Sequence, residues 1–270
     1  MPFGRAFWLR SAPLLAVVLW GGIYPTAKLS LAEIPLLRFL SLRMILATLV
    51  FLVFGCVRPR DIPAEARVSF IGATISQATF QLFLVAGLDR TTAGNSAILL
   101  ATAPVLTAAW LALSGRERSS IRRWIGLARG VVGIALIMQS GNFGLQRVRL
   151  LGDVLSLAAA GAWAWYGLAI GPLVREVGAM KATGTTMAIA TVVVAPGALL
   201  ADWAVPWGPV TFEAWTGVVY GGTVGMVAAM ALWGWSIRQL GPTETMVYLY
   251  LARLELMPLR CPIANRCARQ

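Results

Sequence analysis

The chain has 270 residues, 58% hydrophobic and only 13% charged, with a mean hydropathy of +0.74. So little polar surface cannot cover a water-soluble globule of this size, and the composition is that of an all-α integral membrane protein. The formal charge of +12 would suit nucleic acid, but the basic residues sit in short turns between apolar runs with no aromatic-interleaved basic face, so no nucleic acid is expected as a partner.

The elements follow in chain order. The N-terminal MPFGRAFWLR places Arg5 and Arg10 ahead of an apolar run from Ala12 that no small-x-small cleavage site closes, so the run is expected to remain as a first membrane helix reaching about Ala27. Pro25 near its outer end predicts a kink. Lys28 and Glu33 mark a short external loop, and a second helix spans about Pro35 to Cys56 with Arg43 deep within it. After the basic loop VRPRDIPAEAR, a third helix covers Val68 to Leu88, where Thr74, Gln77 and Gln81 recur at i, i+3 and i+7 along one face.

Thr91 to Met138 holds two further apolar runs, helices four and five, joined by a turn containing Arg116, Arg118, Arg122 and Arg123, with Pro104 as a second kink midway along the first run. Residues 1–140 thus form one half, and 141–152 an external connection. Residues 153–251 form a second half, with helices six (Asp153 to Leu173), seven (Thr183 to Leu200, with a third kink at Pro196) and eight (Ala214 to Trp235). Trp203, Trp207 and Trp215 ahead of and at the start of helix eight suit interfacial anchoring. A ninth helix starts at Gly241, but residues 252–270 are polar and basic and lack the roughly 20 apolar residues of a span. About nine helices are therefore expected with the tenth missing, and the abrupt change after Leu251 is expected to reflect a truncation or frameshift.

With the N-terminus inside, the inner segments carry Arg5, Arg10, Arg58, Arg60, Arg67, Arg116, Arg118, Arg122, Arg123, Arg175, Lys181 and Arg238, against Lys28, Arg38, Arg90, Arg147 and Arg149 outside. This bias predicts a cytoplasmic N-terminus in a multi-pass protein of the bacterial inner membrane.

The halves repeat each other. An offset of 143 lays Trp163 on Trp20 and MAIATVVVAPGA (from Met187) on MILATLVFLVFG (from Met44); an offset of 149 lays Thr223 on Thr74. Five helices per half is odd, so the second copy must be inverted, an arrangement that places a substrate site between the copies near mid-membrane. The copies differ there: Arg43 corresponds to Thr186, and Gln77 and Gln81 to Met226 and Met230. One wall would be hydrogen-bonding and the other soft and apolar, suited to small amphipathic molecules.

Arg43 is the first candidate for substrate binding, because an arginine at that depth must face the bundle interior or water and find a partner. Gln77 and Gln81 bond either substrate or neighbouring helices. Trp20, Trp163 and Tyr166 line a cavity or pack the core, and Met226 and Met230 complete the opposite wall. Without histidine, and with Cys56, Cys261 and Cys267 unsuitably spaced, no catalytic residue, metal site or cofactor is expected. The acids Asp153 and Glu244 lie only at helix ends, so facilitated diffusion or exchange is expected ahead of proton antiport.

The stretches LWGG and AKLSLAEIPLLRFLSLR in helices one and two, TTAGNSAILLATAPVLTAAWLALSGRE in helix four, RRWIGLARGVVGIAL in helix five, and GDVLSLAAAGAWAWYG with LGPTETMVYLYL in the second half resemble EamA-type members of the drug/metabolite transporter superfamily. The resemblance covers Ala12 to Leu251. It implies an inverted repeat of two five-helix bundles and a central cavity. It further implies alternating access exporting or exchanging small metabolites such as amino-acid-like compounds or drugs. Partners implied are the lipid bilayer and a small-molecule substrate, with a homodimer left open. Two departures stand out: Arg129 where helix five is usually small or apolar, and the tail after Leu251. The rival expectation is a non-transporting remnant or membrane assembly partner.

Overall fold

A computed structural model describes residues 3–113, 121, 124–126, 128–129, 132, 147–201, 204–206, 208–241 and 244–249. Apolar runs of this length, kept from water, must satisfy every backbone donor and acceptor internally, and helices do so. Among the described residues, seven helical spans are long and apolar enough to cross a bilayer: Ser11–Leu31, Leu36–Val53, Ala64–Arg90, Ala93–Ala112, Leu150–Val177, Ala179–Ala201 and Phe212–Leu240. The tail after Leu251, most of the basic turn before helix five, Trp203 and Trp207 lie outside the described residues. Of helix five, residues 121, 124–126, 128–129 and 132 are helical, with Arg129 exposed; residues 244–249 are helical where helix nine is expected.

Two spans are interrupted. The first divides into α1 (Phe3–Gly21) and α2 (Ile23–Leu31), and the fourth into α5 (Ala93–Leu100) and α6 (Ala103–Leu113). Proline explains both breaks. Pro25 has no N–H for the carbonyl of Gly21 and Pro104 none for that of Leu100, and each break falls directly after that unserved carbonyl. Threonines cover nearby acceptors: Thr26 Oγ1 donates to Gly22 O at 2.7 Å and Thr102 Oγ1 to Leu99 O at 2.7 Å. Pro196, by contrast, lies inside an unbroken helix, α8 (Ala179–Ala201).

The remaining elements are α3 (Leu36–Val53), α4 (Arg67–Arg90), α7 (Arg147–Val177), α9 (Phe212–Tyr220) and α10 (Ala229–Leu240). Helix α7 starts at Arg147, inside the 141–152 connection and ahead of the expected Asp153, because RVRLL carries no breaker and continues the helix outward. Gly178 (φ +88°) turns α7 into α8, and Gly241 (φ +86°) ends α10, both in a left-handed conformation that a β-carbon disfavours. Between α9 and α10 the backbone of Gly221–Ala228 is a π-helix, which the sequence analysis did not foresee.

The packing follows the repeat. Helices α1 and α2 lie along the last described span (α2 on α9, α1 on α10), α4 lies along α7, and α3 along α8. The sequence offsets carry α1–α2 onto α7, α3 onto α8 and α4 onto α9–α10, so exchanging the halves converts the first pairing into the second and leaves the third unchanged. That is the signature of a two-fold relation whose axis runs between α3 and α8. Two side-chain contacts mark it. Thr48 and Thr191, 143 residues apart, share a hydroxyl hydrogen bond of 2.8 Å, and Trp20 meets Trp163 edge-on at a ring distance of 5.1 Å. Residues equivalent under the offset touch each other only where the axis passes between them. Thr74 and Thr223, equivalent under the second offset, both donate to their own helix four residues back, at 2.8 and 2.7 Å.

Candidate functional site: a cavity beside the two-fold axis

The cavity starts from a charge on an apolar helix. Arg43 is 2% exposed on α3, and one Nη donates to Gln81 Oε1 on α4. Its guanidinium lies 5.4 Å from the Phe39 ring, a cation–π contact. Its Nε has no hydrogen-bond partner, and no carboxylate among the described residues pairs with it. A buried cation held by one neutral amide retains unused donors and an uncompensated charge, both of which favour an anionic oxygen nearby.

Arg43 and Gln81 open onto a cavity of about 90 Å³. This is room for several waters. Trp20 and Tyr24 line it from the first span, Phe80 and Leu84 from α4, Leu100 and Ala101 from the break in the fourth span, and Leu249 from the last described helix. Trp163, Met226 and Met230 form the facing wall. The chemistry is one cationic, hydrogen-bonding pole in an aromatic and thioether shell.

The π-segment shapes that wall. A π-turn leaves carbonyls out of the usual ladder, and Gly225 O accepts from Trp20 Nε1 at 3.0 Å. A β-carbon on Gly225 would strike the Ile23 side chain, and one on Gly222 would come within 2.9 Å of Arg43 O, so glycine allows α1–α2 and α3 to close on this segment. Tyr220 Oη reinforces the seam by donating to Leu19 O at 2.8 Å.

Of the sequence candidates, Trp20, Arg43, Gln81, Trp163, Met226 and Met230 come together around the cavity. Gln77 and Tyr166 do not line it. Gln77, one helical turn from Gln81, is fully buried with Nε2 directed at Met187 Sδ (3.7 Å), and Tyr166 is stacked on Trp163 with its ring 5.3 Å away. Pro25 and Pro104 follow the two breaks flanking the cavity, whereas Pro196 is remote from its lining. Sequence reasoning missed Tyr24, Phe80 and Leu84, which are apolar residues in apolar helices and carry no distinguishing pattern; Phe80 beside Gln81 was the available clue.

The two ends of the bundle are tied differently. At one, Glu33 accepts from Thr211 N (2.7 Å) and Oγ1 (2.9 Å), and Asp153 accepts from Thr91 Oγ1 (2.6 Å). There Gly87 meets Ser156, and Gly217 meets Ser30 and Thr26, too closely for any side chain. At the other, Lys181 Nζ meets Asp61 Oδ2 at 2.7 Å, and the hydrogen bond from Lys181 holds the Asp61 carboxyl below the usual carboxylate range.

Comparison with known proteins agrees with this architecture. The profile of the EamA-like transporter family matches residues 8–139 and 150–254. The chain belongs to this family. Its members are transporters, so the protein is a multi-pass membrane transporter and not an enzyme. Among relatives, it is 26% identical to an uncharacterized transporter of Archaeoglobus fulgidus over 89% of this chain and 83% of the relative. It is 23% identical to the inner membrane transporter YedA of Escherichia coli over 93% and 81%. A "probable amino-acid metabolite efflux pump" of Escherichia coli is 30% identical over 56% of this chain and 49% of the pump. A solved crystal structure shares the fold with a TM-score of 0.66 and 19% identity, covering 96% of this chain and 92% of that one.

Proposed function

We propose that this transporter carries small amphipathic metabolites bearing a carboxylate, amino-acid-like compounds foremost, exporting or exchanging them across the bacterial inner membrane by alternating access. The observation that carries this reading is Arg43: a buried cation, held by Gln81, with no carboxylate partner among the described residues, at the edge of an aromatic and methionine-lined cavity. A ligand carboxylate supplies the missing countercharge, and its apolar part rests on Trp20, Trp163, Met226 and Met230. The name of the related efflux pump fits that chemistry.

In this proposal residues 1–140 and 153–251 act as inverted repeats joined by 141–152, followed by the segment 252–270. Their relative rocking uses the breaks at Pro25 and Pro104, with Pro196 a lesser bend. The basic bias of the turns supports a cytoplasmic N-terminus, and the lack of a described acid beside the cavity supports exchange or facilitated diffusion over proton coupling.

The test is flux of a panel of amino acids and amphipathic derivatives in reconstituted vesicles, with and without Arg43→Leu. The expected result is selective flux of carboxylate-bearing solutes that Arg43→Leu abolishes while insertion is retained. Undiminished flux in the variant removes Arg43 from the site, and flux driven by a pH gradient alone contradicts the coupling.

A further inference from the structure

A second concavity, separate from the Arg43 cavity, lies at the Asp61 end of the second half. It is a groove of about 450 Å³ between the turn from α7 into α8 and the last two turns of α10. Val177, Ala179, Leu232 and Trp235 belong to its apolar lining, and Lys181 and Arg238 are its charged residues.

Small residues explain its shape. A β-carbon on Gly234 would come within 3.2 Å of both the Ala179 β-carbon and Thr183 Oγ1, so α10 and the start of α8 meet closely along that seam. Leu232, Trp235 and Arg238 recur every three residues on the neighbouring stripe of α10 and stand half-buried or exposed beside it. A β-carbon on Gly178 would lie 3.8 Å from Arg238 Nη1, so the guanidinium reaches from α10 to the α7–α8 turn.

The lining is ordered by depth. Arg238 is in the last turn of α10, and Leu232, six residues earlier, lies about 9 Å further along the helix into the span. Trp235 stands between them. A cation at the helix end, then an indole, then aliphatic carbon follows the order in which a phospholipid presents its phosphate, ester region and acyl chain. The two cations are engaged differently: Lys181 meets Asp61 at 2.7 Å, while Arg238 has no ion-pair partner among the described residues. Glu65 and Glu176, the other described acids at this end, do not line the groove.

We propose that this groove binds an anionic phospholipid of the leaflet at the Asp61 end. Its phosphate is held by Arg238 and Lys181, and an acyl chain lies along Trp235 and Leu232. The phosphate and the Asp61 carboxylate then compete for Lys181, so the bound lipid loosens the tie between α8 and the loop ahead of α4. This inference is independent of what the carrier transports and needs only that the chain spans the bilayer.

The test is a titration of the protein, purified in neutral detergent, with phosphatidylglycerol or phosphatidylcholine, read by native mass spectrometry as the Kd of the first bound lipid. Phosphatidylglycerol should bind at least about fivefold more tightly, and equal affinities overturn the proposal. Arg238→Gln should raise its Kd about fivefold, and Arg238→Gln with Lys181→Gln about twentyfold or more. Asp61→Asn, which frees Lys181, should lower it. Arg175→Gln removes an exposed cation of the same end outside the groove and should change the Kd by less than about twofold. A loss in Arg175→Gln equal to that in Arg238→Gln would trace the binding to the general basic charge of this end and overturn the groove.

Two further measurements separate other occupants. A large excess of sn-glycerol 3-phosphate should leave lipid binding unchanged; displacement would assign the groove to a soluble phosphate ester and overturn the lipid. In a background with Cys56, Cys261 and Cys267 replaced by Ser, Leu232→Cys should form no disulfide between chains in vesicles; such a disulfide would place a second copy on this face and overturn the proposal likewise.

Discussion

The two sides of the axis started from one design and diverged in charge. Around Trp20, the first copy places Arg43 and Gln81 in a bonded pair and ties the indole N–H to Gly225 O. Around Trp163, the second copy has Thr186 and Met230 at the equivalent positions, and the indole N–H has no partner. The backbone frame tolerates both because the shared elements, the Thr48–Thr191 bond and the Trp20–Trp163 contact, lie on the axis itself. Symmetry thus fixes where the polar groups stand, and the individual residue decides what each pole can bind.

The comparison breaks most directly at Arg43. Arg43→Leu should lower flux by tens- to thousands-fold, the effect of roughly 2–5 kcal/mol for losing one half of a buried charge contact, measured in vesicles against insertion-matched protein. Thr186→Val, its counterpart, should lower flux far less, and equal losses would mean that the asymmetry has no functional weight. Next in size come the glycine seams that hold the outer pairings. Gly87→Val and Gly217→Val should each destabilise the detergent-solubilised protein by about 1–3 kcal/mol through overpacking, read as a lower melting temperature.

A smaller effect is expected on the axis. Thr48→Val and Thr191→Val should each cost about 0.6–2 kcal/mol, and the double variant no more than Thr191→Val alone, because Thr191 Oγ1 makes the shared bond and also one to Met187 O at 2.9 Å; additive losses would separate the pair. The smallest concerns the Asp61 end. The folded carboxyl of Asp61 is held below its unfolded value by Lys181, so its contribution is fully present above the unfolded pKa and is lost only as pH falls through the lowered one. Flux should therefore change less than about twofold for Asp61→Asn between pH 6 and 8, as befits an exposed pair.

Much of this was legible in the chain. Run lengths predicted about nine helices, and seven membrane-length spans stand among the described residues, because apolar length is a direct physical requirement of the bilayer. The 143-residue offset anticipated that Trp20 and Trp163 would be related, and six proposed site residues share one cavity. Other features depend on partners distant in sequence. Nothing local in Gln77 and Gln81 distinguishes them, yet one turn of helix separates an amide facing Arg43 from an amide facing Met187. Prolines announced the breaks at Gly22 and Ala101, but the same residue at position 196 leaves α8 intact, because the surrounding helices determine whether the unserved carbonyl opens a gap.

The π-segment at Gly221–Ala228 has a further consequence. A stretch of wider turns changes the screw phase of all that follows, and each residue inserted or deleted swings the rest of an α-helix by about 100°. Trp233 and Ile237 face the core only because that phase is set by the backbone of the segment ending at Ala228, not by their own side chains. Deleting a single glycine from the Gly221–Gly222 pair, a change that leaves composition and hydropathy almost untouched, would point the buried tryptophan toward lipid. In this transporter the count of residues, as much as their kind, sets which side chains see the path.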